Sequence, residues 1–188
     1  MVPGLSKMKN LYILYIITVL NLIKSETVFV PDQFGTIQEA IDFSSDSDSI
    51  IVSAGVYFEQ INFQGKSIVV SSRYQIDNDT LLIGLTVIDA GNIGSVVTFK
   101  NQEDDQSILQ GFTLQNGNGN YEDPDDNGTY YNYGGGVYCK DSGPAIKNCI
   151  IKDNSGNEGG GGGVFCYNSS PKFFECTISN NSTKFIYW

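Results

Sequence analysis

A repeat with a period of 27 residues constrains this chain more than any other feature of its sequence. The segment "YGGGVYCKDSGPAIKNCIIKDN" (133–154) is followed by the near copy "GGGGVFCYNSSPKFFECTISNN" (160–181). Cys139 and Cys166 are 27 positions apart, as are the second cysteines, the prolines and the last asparagines of the two copies. Such a repeat is one structural unit that buries its apolar side only by stacking on the next. The chain is therefore predicted to be a solenoid.

The repeat units have the pattern of strands. "GVYC", "AIKN" and "CIIKD" are short, β-branched and alternating, with Gly, Pro, Ser and Asn between them. Three strands in 27 residues, joined by connections too short for helices, make one rung of a β-solenoid. Equivalent residues of successive rungs then lie about 4.8 Å apart. The segments 54–72 and 86–116 fit the same template, with Phe112 in the place of Cys149.

From Phe112 to Cys149 the spacing is 37 residues rather than 27, so ten residues are inserted within "NGNGNYEDPDDNGTYYN" (116–132). The template then gives about four rungs. Before the first rung, Thr36 and Glu39 of "FGTIQEAIDF" form a capping box. This pattern predicts a short helix that covers the open edge of the first rung.

The N-terminus has the features of an export signal. Two lysines precede the apolar run "LYILYIITVLNLI" (11–23), which is too short to span a bilayer comfortably but suits the core of a signal peptide. We predict a signal peptide over residues 1–25 and a mature domain over 26–188, secreted or at the cell surface or outer membrane. The alternative is an uncleaved membrane anchor. After cleavage the protein is not expected to be an integral membrane protein.

The C-terminus departs from the repeat. After Asn181 the pattern calls for another Gly-Gly unit, but the chain continues as "STKFIYW" (182–188). Residues 185–188 form an apolar lid on the last rung, or the domain is the N-terminal piece of a longer surface protein. We favour the second interpretation, in which the β-helix domain is truncated.

The segment "FGTIQEAIDF…DSIIVSAGVYFEQINF" resembles the opening of pectin lyase-like right-handed β-helix proteins, including pectinesterase-like chains. The two "GGGVYC…CIIKDN" units resemble the repeats of polymorphic outer-membrane proteins and related bacterial surface β-helix proteins. The resemblance covers residues 28–183. It implies an all-β fold, a right-handed parallel β-helix of about four rungs with a short N-terminal capping helix. It does not specify function, because this fold hosts lyases, hydrolases, esterases and adhesins.

The turns of such a rung explain its small and polar residues. Gly134–Gly136 and Gly160–Gly163 are expected to allow tight or positive-φ turns into the first strand. Asn154 and Asn181 are expected to end the third strand in the left-handed conformation, which asparagine tolerates.

The four cysteines are predicted to stack, Cys139 on Cys166 and Cys149 on Cys176. We favour free thiols packed in the inner wall, because parallel neighbours point the same way and a disulfide between them would be strained. Disulfides along the solenoid axis are the alternative. A metal site is least favoured, since the spacing is not CxxC and the chain has no histidine.

The insertion contains a candidate metal site. Asp123, Asp125 and Asn127, followed by Gly128, have the order of oxygen ligands and glycine that begins a calcium loop. The position that would hold the last ligand is Gly134 rather than Glu. Calcium is the cofactor that this pattern predicts, and the alternative is a solvated acidic loop on one face of the solenoid.

An aromatic row is the candidate ligand surface. Tyr57, Tyr138 and Phe165 are placed in the same slot of successive first strands and are expected to face outward. Outward aromatic rings can stack on sugars, so these three residues are predicted to contact a glycan. The alternative is an aromatic ladder that only stabilises the fold.

Composition limits the function. The net charge of −10 excludes nucleic acid as a partner and disfavours polyanionic substrates. We favour an exported, non-catalytic module at the cell surface that acts in adhesion or glycan contact, with an extracellular polysaccharide or a host or cell-surface glycan as partner. The alternative is a polysaccharide-active enzyme, pectate lyase- or pectinesterase-like. Its candidate residues are Arg73, the only arginine of the chain, and Asp89.

Overall fold

The 27-residue repeat becomes a stack of parallel strands. The computed structural model describes residues 25–184. Val137 lies opposite Val164, and Cys139 lies opposite Cys166, in parallel strands. The protein is all-β, a right-handed parallel β-helix with a short helix at its N-terminal end, and this handedness is that of nearly all parallel crossovers. The predicted fold class is confirmed.

Short strands make up most of the described chain, because β-branched and aromatic residues alternate here with Gly and Asn turns. In chain order the strands are β1 Thr27–Val30, β2 Ser49–Val52, β3 Gly55–Phe58, β4 Ile61–Asn62, β5 Val69–Ser72, β6 Thr86–Asp89, β7 Val97–Phe99, β8 Ile108–Gln110, β9 Thr113–Gln115, β10 Asn120–Glu122, β11 Tyr131–Tyr133, β12 Val137–Lys140, β13 Ala145–Lys147, β14 Ile150–Lys152, β15 Ser155–Gly160, β16 Val164–Tyr167, β17 Lys172–Phe174, β18 Thr177–Ser179 and β19 Ser182–Lys184. Helix α1 is Ile37–Phe43, α2 is Tyr74–Asp77 and α3 is Leu81–Leu85.

Three sheets run along the solenoid and a fourth lies beside them. Sheet 1 contains β1, β2, β5, β8, β13 and β17, and sheet 2 contains β3, β6, β9, β14 and β18. Sheet 3 contains β4, β7, β12 and β16, and sheet 4 contains β10, β11, β15 and β19. The chain passes from sheet 1 to sheet 2 to sheet 3 and back. The described part therefore holds four complete rungs and the beginning of a fifth, in agreement with the prediction of about four.

The core is a column of inward side chains rather than a single cluster. In sheet 2, Ile88, Leu114 and Ile151 lie in register and each is fully buried. The rings of Phe63 and Phe99 pack beside them in the interior, with centroids 4.6 Å apart. Burying one such side chain contributes about 1.5–3 kcal/mol. Each rung adds its own contribution, so stability grows along the solenoid axis.

Left-handed residues mark the corners. Gly134, Gly160 and Gly161 have φ values of 66°, 93° and 66°, as predicted for the glycine turns, but the asparagine positions differ from the prediction. After the sheet 2 strands, Asp153 and Asn180 have φ values of 55° and 54°. Aspartate and asparagine adopt this conformation more readily than other non-glycine residues. The prediction for Asn154 and Asn181 was wrong by one residue.

Asn154 and Asn181 form a ladder inside the corner instead. Asn154 is 1% exposed, its Oδ1 accepts the N–H of Gly117 at 2.8 Å, and its Nδ2 donates to the carbonyl of Leu114 at 3.0 Å. Asn181 repeats the pattern one rung later, donating to the carbonyl of Ile151 at 2.9 Å. Each amide satisfies backbone groups that the bend leaves unpaired, which explains why asparagine recurs at this position.

Helix α1 closes the N-terminal end, as predicted. Thr36 Oγ1 accepts the N–H of Glu39 at 3.1 Å, and the Glu39 carboxylate accepts the N–H of Thr36 at 3.2 Å. The inner face of the helix, Ile37, Ala40 and Ile41, is fully buried. Strand β1, which the sequence analysis did not predict, pairs with β2 and extends sheet 1 at the same end.

Two insertions interrupt the rungs. The ten-residue insertion forms a β-hairpin, in which β10 pairs antiparallel with β11 and β11 pairs parallel with β15. The second insertion, residues 73–85, contains α2 and α3. It is held against sheet 2 by Thr113 Oγ1, which donates to the carbonyl of Ile83 at 3.0 Å. The insertions therefore lie on faces of the solenoid, as expected.

Two predictions concern residues outside the described range. The signal peptide lies almost wholly before residue 25, and the segment 185–188 follows the last described residue. Between residues 25 and 184, the longest helix has seven residues, and no helix combines the length and hydrophobicity needed to cross a membrane.

Gly135 should tolerate no side chain. A Cβ at this position would lie 2.2 Å from the carbonyl oxygen of Ser155 and 2.5 Å from that of Gly162. These are backbone atoms of neighbouring segments that are hydrogen-bonded to one another, and they cannot move aside without breaking the stack. We expect Gly135→Ala to lower the free energy of unfolding by about 3 kcal/mol, measured by urea denaturation.

Gly84→Ala is the matched control. A Cβ at Gly84, inside α3, would meet nothing within 4 Å. We expect this variant to be more stable than wild type by about 0.5–1 kcal/mol, because alanine has the higher helix propensity. Equal denaturation midpoints for the two variants would contradict the proposed tight stacking.

Candidate functional site

Tyr57 does not share a row with Tyr138 and Phe165. Tyr57 lies in sheet 2 and packs against the core, whereas Tyr138 and Phe165 lie opposite each other in sheet 3. The prediction of one outward row was wrong because "GVYF" (55–58) and "GVYC" (136–139) look alike but belong to different sheets. In "GVYF" the alternation of inward and outward side chains has the opposite phase.

Tyr138 points out of the solenoid, as predicted, but the β10–β11 hairpin covers it. Val137 and Cys139 fill the core, yet Tyr138 between them is also fully buried. Tyr133 of β11 packs on Phe165 with ring centroids 4.4 Å apart, and Phe165 stacks on Tyr138 at 5.7 Å. Burial raises the pKa of Tyr138 far above its ordinary value, and its hydroxyl has no hydrogen-bond partner among the described residues. Tyr138 is therefore not available to a ligand in this structure.

The outer side of sheet 2 presents a different row. Because Ile88, Leu114 and Ile151 point into the core, the residue after each of them lies on the outer side of the sheet. Asp89 is nevertheless only 5% exposed, whereas Gln115 and Lys152 are half-buried. These outward residues lie in register from rung to rung and span about 19 Å, at about 4.8 Å per step. They are named the outer row here and are Phe58, Asp89, Gln115, Lys152 and Ser179.

Phe58 gives the outer row an accessible aromatic ring. Its side chain is 78% exposed, the largest exposure of a large hydrophobic side chain among the described residues. Val56, on the same side of the strand, is also exposed, as are Leu81 and Leu85 of the helical insertion. Phe58 lies opposite Asp89. An apolar surface thus adjoins the polar part of the row.

Asp89 is fixed by the amides of the next rung. Its Oδ2 accepts Gln115 Nε2 at 2.9 Å and Asn116 Nδ2 at 2.8 Å, and its Oδ1 accepts the N–H of Gly91 at 2.9 Å. Burial by itself would raise the pKa of Asp89, but the three hydrogen bonds outweigh it and hold the pKa below its ordinary value. The carboxylate is ionised at neutral pH and has one orientation.

The residues considered for catalysis do not come together. Arg73 stands at the start of α2 and pairs with Asp77, with 3.1 Å between Nε and Oδ2 and both side chains exposed. Asp89 is hydrogen-bonded to amides and a backbone N–H. An esterase or lyase mechanism requires a proton donor or acceptor, or an activated nucleophile, beside the reacting group. The hydrogen-bond partners of Asp89 supply no proton-transfer group.

The cysteines lie in the columns that the repeat predicts. Cys139 is in register with Cys166, and Cys149 and Cys176 directly precede the paired strands β14 and β18. All four are free. Cys139 and Cys149 are buried, whereas Cys166 is exposed and Cys176 half-buried, because no later rung covers them within the described range. The redox state of these thiols in solution stays a prediction.

The acidic loop of the hairpin is closed by its own donors. The two carboxylate oxygens of Asp123 accept the backbone N–H groups of Asn127 at 3.1 Å and Gly128 at 2.7 Å. Asp125 Oδ2 accepts the side-chain amide of Asn127 at 2.8 Å. No cluster of three acidic, histidine or cysteine side chains with the arrangement of a metal site occurs within residues 25–184. Calcium binding by this loop stays a prediction.

Sequence analysis missed Phe58, Gln115 and Asn116. The signal that identifies them is the register of sheet 2, in which "VYF" (56–58) pairs with "VID" and "VID" pairs with "TLQ". This register puts Gln115 opposite Asp89. It is hidden in the sequence because the rungs before residue 133 have unequal lengths.

The chain is not assigned to a family by its similarity to known proteins. No protein-family model and no curated protein sequence matches the chain. Among solved structures, the chain is similar to the crystal structure of the pectin methylesterase from Aspergillus niger in deglycosylated form, with a TM-score of 0.36 and 16% sequence identity. The match covers 84% of this chain and 57% of that chain. A likeness at this score carries no argument about function.

Alkylation should separate the cysteines by burial. Because burial raises the pKa of Cys139 and Cys149 to about 12, their thiolate fraction is very small and they should react with iodoacetamide only after unfolding. Cys166 and Cys176 should react first in the native protein. Mass spectrometry of unreduced protein should find four modified thiols after unfolding. Two intact disulfides would overturn the prediction of free thiols.

Calorimetry tests the calcium hypothesis. A calcium site predicts binding heat for wild type that is lost in Asp125→Ala and retained in Asp126→Asn. Asp126 has a φ of 55°, which asparagine tolerates, so the control should not disturb the loop. If wild type gives no heat above that of buffer, the calcium hypothesis is wrong and the loop is a solvated loop closed by its own hydrogen bonds.

Proposed function

We propose that this protein is an exported, non-catalytic β-helix module that contacts glycans, in adhesion or attachment at the cell surface, through the outer row. Export is supported by the apolar N-terminal segment 11–23 with its preceding lysines. Glycan contact is supported chiefly by one observation: the exposed ring of Phe58 lies in register with a row whose amides are held in place by the buried carboxylate of Asp89. A solenoid suits this role, because each rung adds one step to a regular face without a deep pocket.

Phe58 supplies the apolar contact of the site. Sugar rings have flat C–H faces that pack on aromatic rings, and a well-oriented aromatic contact is worth about 0.5–1.5 kcal/mol beyond the area that it buries. The ring is already exposed, so no group has to be displaced from it before binding. Asp89 lies one strand away, at about 4.8 Å along the row. Asp89 itself is buried, and the first partly exposed polar side chain, Gln115, lies two strands from Phe58, at about 9.6 Å. An oligosaccharide with one unit stacked on Phe58 therefore reaches the polar part of the row.

The polar part of the row is preorganised. Asp89 holds the side chains of Gln115 and Asn116 in place from the rung before them. Side chains that are already ordered lose little conformational entropy when a ligand binds. Lys152 and Ser179 continue the row on the next two rungs. The arrangement suits an extended, hydroxyl-rich chain that lies along the solenoid axis.

The alternative is a polysaccharide-active enzyme of the same fold. The lowered pKa of Asp89 is compatible with an ionised nucleophile. Such an enzyme would also need a proton donor for the leaving group, and the hydrogen-bond partners of Asp89 are two amides and a backbone N–H. This environment favours binding over turnover.

Phe58→Ala should weaken glycan binding. Loss of the stacked ring is expected to reduce affinity about tenfold, equivalent to about 1.4 kcal/mol. Affinity electrophoresis or calorimetry against a panel of soluble polysaccharides measures it. Phe174→Ala is the matched control, because Phe174 is a 50% exposed phenylalanine on sheet 1. Equal losses in the two variants, or no loss in either, would exclude the outer row as the site.

An activity assay separates the two functions. We expect no unsaturated products and no released methanol when the protein is incubated with pectin, polygalacturonate or alginate in the presence of calcium. Turnover that is abolished by Asp89→Ala or Arg73→Ala would replace the binding function with an enzymatic one.

A further inference from the structure

The outer row presents hydrogen-bond acceptors around Asp89. An ionised carboxylate only accepts hydrogen bonds, so the two side-chain amides in contact with it must turn their N–H groups toward it. The distances are 2.9 Å from Gln115 Nε2 and 2.8 Å from Asn116 Nδ2. This orientation places the carbonyl oxygens of both amides on the side away from Asp89. A ligand approaching them meets these acceptors, together with the second N–H of each amide, for which Asp89 is not the acceptor.

The charge along the row is negative as well. Lys152 is the only cation of the outer row, and its Nζ lies 3.4 Å from the carboxylate of Asp153, which offsets its charge. Asp89 adds an uncompensated negative charge, since all three of its hydrogen-bond donors are neutral. The chain as a whole carries a net charge of −10. Hydroxyl and ammonium groups find acceptors and a favourable charge here. Carboxylate and sulfate groups can accept only the second N–H of each amide and otherwise meet like charge and acceptor oxygens.

We infer that the outer row selects neutral sugars and amino sugars and rejects acidic ones such as uronates and sulfated sugars. This inference rests on the proposed function, since it concerns the same site. The recognised ligand has a face that stacks on Phe58 and hydroxyl or ammonium donors beside that face. Amino sugars gain additional attraction from the charge of Asp89. Discrimination arises as much from repulsion of the acidic ligand as from attraction of the preferred one.

The test compares oligosaccharides that share a linkage and differ only in charge. Glucose, glucosamine and glucuronic acid oligomers form one series, and galactose and galacturonic acid oligomers form a second. Calorimetry at low salt should give the tightest binding for glucosamine, then glucose, with the acidic oligomers weaker than their neutral counterparts by about tenfold or more. Raising the ionic strength should reduce both the preference for glucosamine and the discrimination against acidic oligomers. This salt series needs no variant.

Asp89→Asn tests the residue that is assigned the selectivity. It removes one charge at nearly constant size, and it should reduce the discrimination against acidic oligomers about tenfold. Asp126→Asn removes the same charge from a loop position with a φ of 55° and should leave the order of affinities among the oligomers unchanged. Circular dichroism establishes that each variant folds. If Asp89→Asn fails to fold, the salt series on the unaltered protein tests the charge selectivity instead.

The outcomes separate this inference from the proposed function. If no oligomer of either series binds, the proposed function fails and the inference falls with it. In a second outcome, oligomers bind and Phe58→Ala weakens that binding, while an acidic oligomer binds as tightly as its neutral counterpart. In that case the proposed function stands and the inference is overturned. Binding in the expected order, with discrimination reduced only in Asp89→Asn, supports both.

Discussion

In-register, parallel backbone pairing between rungs is the interaction on which the rest of this structure depends. It places equivalent residues about one strand spacing apart, so that their side chains form columns. Inside sheet 2 the column of Ile88, Leu114 and Ile151 supplies the core. The same close approach explains the glycines, because a Cβ on Gly135 would collide with the carbonyl oxygen of Gly162 in the next rung. Hydrophobic burial and the turn residues are both consequences of this pairing.

The same pairing builds the candidate site from residues that are far apart in the chain. Phe58 and Asp89 come from adjacent rungs, and Gln115 comes from the third. Because the columns fix the separation of the strands, the amides of one rung can hold the carboxylate of the rung before it. That contact determines the direction of the amides and turns their carbonyl oxygens away from Asp89. The proposed selectivity for neutral and amino sugars follows from backbone register as much as from residue type.

The two insertions determine which aromatic side chains a ligand can reach. On sheet 3, the β10–β11 hairpin lies over Tyr138 and removes it from solvent. On sheet 2, the insertion 73–85 contacts the neighbouring column at Thr113, and Phe58 stays 78% exposed. Two outward aromatic residues on similar strands therefore have opposite accessibility. Neither local sequence nor the position in the repeat distinguishes them.

The sequence by itself determined the 27-residue period, the strands of each rung, the capping helix and the parallel stack. These features are local or repeat in adjacent units, where spacing and residue type are sufficient evidence. Only the tertiary structure decided that Tyr57 points inward and Phe58 outward, because that phase depends on which strand of another rung pairs with theirs. It also decided the burial of Tyr138 and the contact of Gln115 with Asp89. Both depend on segments that meet only when the chain has coiled and the hairpin has folded back, and no period in the sequence encodes such contacts.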